Sequence, residues 1–281
     1  MCRFFALAGL NVSRDFLAVL ARSFTLSSLH DPYLAELSGG KYVSHGDGWG
    51  LAAVGVVRGE LTVAHHKSLE PIFNHSSQRV LDLFLDRVSS YEQLYLVLHA
   101  RRASLREPYG LEYVHPYMRL SESGVAWFVH NGGANKKALA EKLGVYPWIR
   151  VDSELLGHYV MDHVLSCAES GVDVDTCVVE AYTEAKGYVV SNSALNSALL
   201  VLHRDTPRLY VTFWVREPRT PRVVDYYTLL ARERVNGGET TLICSKSTGE
   251  YLLHFSPGDL HPLEPGVYSV GPGSIKRLAE L

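Results

Sequence analysis

Cysteine is scarce in this chain: four residues among 281, at positions 2, 167, 177 and 244. No two stand in C-x-x-C spacing, and four in this length do not make the disulfide framework of a small secreted protein. A reducing, cytoplasmic setting is the expectation. Zinc is unsupported, since His65-His66 is a lone doublet and no H-E-x-x-H or Cys/His cluster appears. No metal and no cofactor is expected. Charge of one sign is not in excess either. With 27 Lys and Arg against 30 Asp and Glu, the formal net charge is −3, so no broad basic field gathers nucleic acid. The densest basic spot, Arg101 and Arg102 with Arg106, is too small to track a polyanion. No apolar run approaches the ~20 residues of a membrane span, so no membrane partner is expected. Glutamine occurs only at positions 78 and 93; depletion of thermolabile side chains is one habit of thermophilic proteins.

What is present reads as a globular chain, 47% hydrophobic and 20% charged, long enough to bury a sizeable core. No linker, repeat or low-complexity stretch divides it, and a single domain over residues 1–281 is expected. The opening MCRFFALAGL admits three readings: an incidental buried cysteine, a secretory leader, or a cysteine that leads the mature chain once Met1 is removed. The leader reading is weak. Its apolar run, Phe4 to Leu10, is short, contains Gly9, and meets Asn11, Ser13, Arg14 and Asp15 with no small-x-small cleavage pattern. The run fits a strand.

Further along, SRDFLAVLARSF has helical spacing behind Ser13, and WGLAAVGVVRGELTVAHH reads as a hairpin turning at Arg58-Gly59-Glu60. Ser77 to Val88 reads as a helix, QLYLVLHARRAS and GVAWFVHNGG as strands, and Asn135 to Leu143 as a short helix. DSELLGHYVMDHVLSCAESG carries the clearest helical stripe, with Asp152 at the N-cap position and Gly171 after its end; another helix is expected over Val174 to Lys186. ALLVLHR, RLYVTFWVR, VDYYTLLAR, TTLICSK and a last PGVYSVGPG read as strands. Strands seldom alternate singly with helices, so the class is α+β, with two mostly antiparallel sheets and helices outside.

Four segments place polar groups at strand ends or helix starts, where a pocket would form: HGDGWGLA (His45 to Ala52), HARRAS (His99 to Ser104), HNGG (His130 to Gly133) and VDSELL (Val151 to Leu156). An N-terminal cysteine has the means to activate itself, because an α-amino group titrates near 7.7–8.0 and takes up the thiol proton.

This set, in this order behind Met-Cys, resembles the class II glutamine amidotransferase domain of the N-terminal nucleophile (Ntn) hydrolases. Asp47-Gly48-Trp49-Gly50, His99-Ala100-Arg101-Arg102-Ala103-Ser104, His130-Asn131-Gly132 and Val151-Asp152-Ser153-Glu154 carry the resemblance over about residues 2 to 156, and His115-Pro116-Tyr117 is similar to a further segment of that family. The resemblance implies a four-layer αββα sandwich. It implies that Cys2 attacks the side-chain amide of glutamine with its own amine as base, and that Asn131 and the Gly132 N–H form the oxyanion hole. Arg101 would hold the substrate carboxylate and Asp152 its ammonium. Arg101 and Arg102 point to opposite faces of a strand, so one alone can bind, and the family pattern favours Arg101. His99, Ser104 and Trp49 go with these segments as candidate substrate residues; taken singly, a buried hydrogen-bonded histidine and a structural tryptophan are the plainer readings. A stand-alone domain is expected, passing ammonia to a separate synthetase subunit. Two alternatives stay open: hydrolysis of another γ-glutamyl amide, and a non-catalytic binding or regulatory module.

Overall fold

The computed structural model describes residues 2–104 and 107–281. In chain order its elements are β1 (Cys2–Leu10), α1 (Arg14–Leu29), α2 (Pro32–Leu37), β2 (Trp49–Val57), β3 (Glu60–Ser68), α3 (His75–Val88), β4 (Gln93–Arg101), β5 (Tyr117–Leu120), β6 (Gly124–Gly132), α4 (Lys136–Leu143) and α5 (Asp152–Glu169). There follow α6 (Val174–Ala185), β7 (Ser193–His203), β8 (Thr206–Phe213), β9 (Val215–Arg216), α7 (Pro221–Tyr227), β10 (Leu229–Arg232), β11 (Thr240–Ser245), α8 (Lys246–Phe255), β12 (His261–Pro262), β13 (Gly266–Gly271) and β14 (Ser274–Ala279).

The strands form two seven-stranded sheets, and every strand pair is antiparallel. The first runs β12-β10-β11-β1-β4-β2-β3; the second runs β14-β13-β8-β7-β6-β5, with β9 beside β7. Strand β1 explains why the opening decapeptide is apolar at nearly every position. Phe5 and Leu7 pack outward with Phe16, Leu20 and Phe24 of α1, while Phe4, Ala6 and Ala8 pack inward against Trp127, Val129 and Leu200 of the second sheet. A strand buried on both faces needs no polar alternation. Helices α5 and α6 cover the outer face of the second sheet through Leu156, Val160, Val178 and Tyr182, which completes the four layers. No helix among the described residues is long and apolar enough to cross a membrane.

Local chemistry sets the turns and caps. Arg58 and Gly59 both have positive φ, 52° and 77°, between the paired Val57 and Glu60; this is the two-residue turn whose twist suits a hairpin. Ser13 caps α1 by accepting from the Phe16 N–H at 3.2 Å.

Three expectations are corrected. VDYY is the end of α7, not part of a strand, because Pro221 opens a helix at Thr220 and only Leu229–Arg232 is extended. Asp152 is the first helical residue of α5 rather than its cap; Val151 holds the cap position, and its N–H donates to Glu154 Oε2 at 3.2 Å. Cys167 and Cys177 are joined in a disulfide between α5 and α6, with Cα atoms 5.7 Å apart. Helices α2 and α8 and strand β14 had no counterpart in the sequence reading.

Candidate active site

Cys2 is the first residue of β1 and pairs in register with Arg101, the last residue of β4. Directly opposed residues of an antiparallel pair share a face, so both side chains look into the space between the sheets, as does His99 two residues back. From the second sheet, β6 ends at Asn131 and Gly132 across the same space. The Cys2 N–H donates to Asn131 Oδ1 at 2.9 Å. That bond orients the amide and leaves Asn131 Nδ2 buried with no hydrogen-bond partner. Glycine is required at 132: a Cβ there would stand 1.9 Å from the Ala194 carbonyl oxygen of β7. Asp152 enters from the start of α5, where its Oδ2 accepts from the Ala134 N–H at 2.9 Å and its Oδ1 from the Ser153 N–H at 2.7 Å. A carboxylate in the first turn is favoured by the helix dipole. Arg101 is buried; its Nη2 donates to the Pro108 carbonyl at 3.1 Å, and its Nη1 has no partner. Cys2, Arg101, Ser104, Gly132 and Asp152 line one tight cleft. A roomier cavity, about 610 Å³, lies at the opposite end of the first sheet, around Val57, Leu61, Tyr91 and Glu92.

The thiol is tuned by its surroundings. Burial opposes its ionisation, but the positive charge of the amino terminus and then His99 outweigh it, and its pKa falls to about 6. Buried imidazoles stand behind the cleft. His99 Nε2 lies 3.3 Å from the His130 carbonyl oxygen, and the His99 and His115 rings meet tilted at 35°, with centroids 3.9 Å apart. His130 Nδ1 lies 2.9 Å from Ser153 Oγ. Burial lowers His130 to about 4 despite the favourable field of Asp152, and burial together with His99 and His130 lowers His115 well below the usual imidazole range. Both are therefore neutral near pH 7.

On the other face of β1, Arg3 is wholly buried. Its guanidinium lies 2.5 Å from Asp31 Oδ2 and donates to the carbonyl of Cys2 at 3.3 Å and of Tyr226 at 3.1 Å. His45 Nε2 approaches the same Asp31 oxygen at 2.7 Å. Burial disfavours the Asp31 charge, yet Arg3 and then His45 hold its carboxyl well below the usual carboxylate range.

No model of a known protein family matches the chain, and no curated protein does. Solved structures do. One, described as the allosteric regulatory enzyme of purine biosynthesis, superposes with a TM-score of 0.55 at 16% identity, over 99% of this chain and 49% of its own. This chain thus spans about half the length of that protein. The fold shared with it is a four-layer αββα sandwich of two antiparallel sheets between helices. A second structure, a predicted glutamine amidotransferase from Pseudomonas aeruginosa, aligns over 98% of this chain and 95% of its own at 14% identity, with a TM-score of 0.45.

Within this sandwich, most of the residues singled out from sequence meet at one place. Cys2, Arg101, Ser104, Gly132 and Asp152 face the cleft, Asn131 holds the Cys2 nitrogen, and His99 lies alongside the thiol. Arg102 also borders the cleft, but its guanidinium sits over the Tyr42 ring at 4.1 Å and 3.8 Å from Asp47. Trp49 is not brought there. It is buried in the outer layer, its ring nitrogen donating to Ser77 of α3 at 3.0 Å. Sequence reasoning missed Glu107, which borders the cleft and pairs with Lys136 at 2.8 Å. It missed Arg3 and Asp31 too. A lone charge inside an apolar strand was the available signal, since a buried charge demands a partner.

Proposed function

We propose that the protein is a class II glutamine amidotransferase, an Ntn enzyme that releases ammonia from glutamine for use by a synthetase. One observation carries this reading: a thiol tuned to about 6 shares a cleft with unpaired N–H groups on Arg101 and a carboxylate on Asp152, beside the free amide of Asn131. A free α-amino group on Cys2, once Met1 is removed, titrates near 7.7–8.0 and takes the thiol proton directly or through one water, giving the thiolate and an ammonium. Arg101 Nη1 takes the substrate α-carboxylate, in a fork geometry that lysine lacks, and Asp152 takes the α-ammonium. Sγ attacks the side-chain carbonyl carbon. Asn131 Nδ2 and the Gly132 N–H stabilise the oxyanion, and the Cys2 ammonium gives its proton to the leaving nitrogen. Ammonia departs, and water cleaves the thioester to glutamate and restores the thiol.

The test is glutamate release from glutamine by protein whose intact mass lacks Met1, beside a Cys2→Ala variant of equal melting temperature. Turnover is expected in the first and none in the second. Efficient cleavage of bulky γ-glutamyl conjugates with no glutamine turnover would overturn the glutamine assignment.

A further inference from the structure

Metal-ligand side chains converge at a second place, beginning about three turns along α5 from Asp152. Helix α5 carries His163 and Cys167 one turn apart, and α6 carries the exposed Glu180 one turn beyond Cys177, which is buried in the core and joined to Cys167. His163 Nε2 lies 3.7 Å from Glu180 Oε2, and Cys167 Sγ lies 4.0 Å from the same oxygen. The ligand atoms of His163, Cys167 and Glu180 all fall within 4.8 Å of one another. Ligands at about 2.0–2.3 Å from a tetrahedral zinc stand roughly 3.3–3.8 Å apart, so the His163–Glu180 and Cys167–Glu180 spacings are close to what one ion needs. The two sulfurs alone are closer, because they are bonded to each other. Their Cα atoms, 5.7 Å apart, allow the sulfurs to separate by side-chain rotation once that bond is broken.

We propose that the α5–α6 seam is a redox-gated metal site: a disulfide when oxidised, and when reduced a site for a zinc-like divalent cation held by Cys167, Cys177, His163 and Glu180. A dithiol reductant supplies two electrons and two protons to the disulfide and itself becomes a disulfide, leaving two thiols here. Metal binding displaces those two protons, and the two thiolates, the neutral imidazole and the carboxylate complete four coordination. Thiolate and imidazole together select zinc over magnesium or calcium. Either state ties the two helices together, so the seam stays cross-linked while its chemistry changes.

The test uses cobalt(II) as a spectroscopic stand-in for zinc, in a Cys2→Ser background that removes the reactive thiol. Cys244 does not compete: it is buried and its thiol is pushed up to about 12. Protein reduced and desalted without oxygen is expected to bind one cobalt per chain, with thiolate charge-transfer and tetrahedral d–d bands. The oxidised protein should show neither. H163A and E180Q, which leave the disulfide in place, should weaken cobalt binding at least tenfold in the reduced state, and the C167S/C177S double variant should abolish the charge-transfer band. Should those variants fold poorly, the reduced parent protein is expected to gain melting temperature with zinc and lose it with a chelator. The proposal is overturned by reduced protein that binds no cobalt, by binding undiminished in both H163A and E180Q, or by oxidised protein that binds as well.

Discussion

At the scale of single residues, the cleft makes two sharp expectations. The first concerns Cys2. An ordinary thiol ionises near 8.5, whereas this one is brought to about 6. Thiolate is the reactive form, so alkylation by iodoacetamide should rise with pH through a midpoint near 6 and be flat by neutrality. A midpoint near 8.5 would mean the amino terminus and His99 do not act on the sulfur. The second concerns Asn131. Its Oδ1 is occupied by the Cys2 N–H and its Nδ2 is free. If Nδ2 serves the oxyanion, Asn131→Ala should lower kcat by about 10²–10³, on the order of 3–4 kcal/mol, with little change in KM. Arg101→Lys should do the reverse, raising KM while sparing kcat, since a lysine still offers charge but not the fork. Steady-state glutaminase kinetics separate the two; equal loss of kcat in both would deny the division of labour. That these residues meet at one cleft was legible in sequence from residue type and order: a cysteine behind the first methionine, an arginine past a buried strand, an amide before a glycine. Arg3 with Asp31 and His45 was not. The partners lie 28 and 42 positions from Arg3 and meet only when β1, α2 and the following loop are assembled. Trp49 shows the opposite failure, a motif position whose side chain the pleat turns away from the cleft into the layer with α3.

At the scale of elements, local signals were read well where they were redundant. Helix α1 combines a hydrophobic period with its Ser13 cap, and the β2–β3 hairpin joins two β-rich runs through the positive-φ pair Arg58-Gly59. They failed where composition and position disagreed. VDYY is rich in residues that favour strands, yet Pro221 at the first helical turn and contacts of Val223, Tyr226 and Tyr227 with Leu34 and Ala194 make it a helix. The Cys167–Cys177 bond is the clearest case. Ten positions separate the two residues, and nothing local marks them as partners; the antiparallel packing of α5 on α6 brings them together. Closing a loop of that length restricts the unfolded chain by roughly 2–3 kcal/mol. The oxidised protein should therefore lose about that much stability in urea when Cys167 and Cys177 are both replaced by serine. Thiol counting on denatured, unreduced protein should find two free cysteines in the parent and all four after reduction; four before reduction would contradict the bond. A persistent disulfide sits awkwardly with a reducing compartment, except in hyperthermophiles, whose intracellular proteins retain them. The two-glutamine composition points the same way.

At the scale of the whole molecule, two sheets enclose a layer that is apolar along most of its length and ends in a bank of buried imidazoles. This gives folding a pH dependence whose sign can be worked out. His45 and His130 are completely buried; burial is the main cause that lowers each to about 4. His115 is lowered further by burial and by the neighbouring His99 and His130. In the unfolded chain each titrates near 6.5. Between about 6.5 and 4 the unfolded state therefore binds protons that the native state refuses. Native stability is complete above that window and falls as the pH falls through it, by up to roughly 1.4 kcal/mol per pH unit for each such histidine. Cys2 acts with the same sign in a higher window, from its unfolded value near 8.5 down to about 6. The loss below 6 thus belongs to the imidazoles. Below 4 the unfolded chain also takes up a proton at Asp31 that Arg3 and His45 keep off the native carboxylate, and this steepens the fall. Urea unfolding at pH 7.5, 6, 5 and 4.5 should show a steady decline with a slope of more than one proton. His130→Asn keeps an amide to meet Ser153 Oγ and should flatten that slope by about one proton, while a merely packing role for the ring would lower stability equally at every pH.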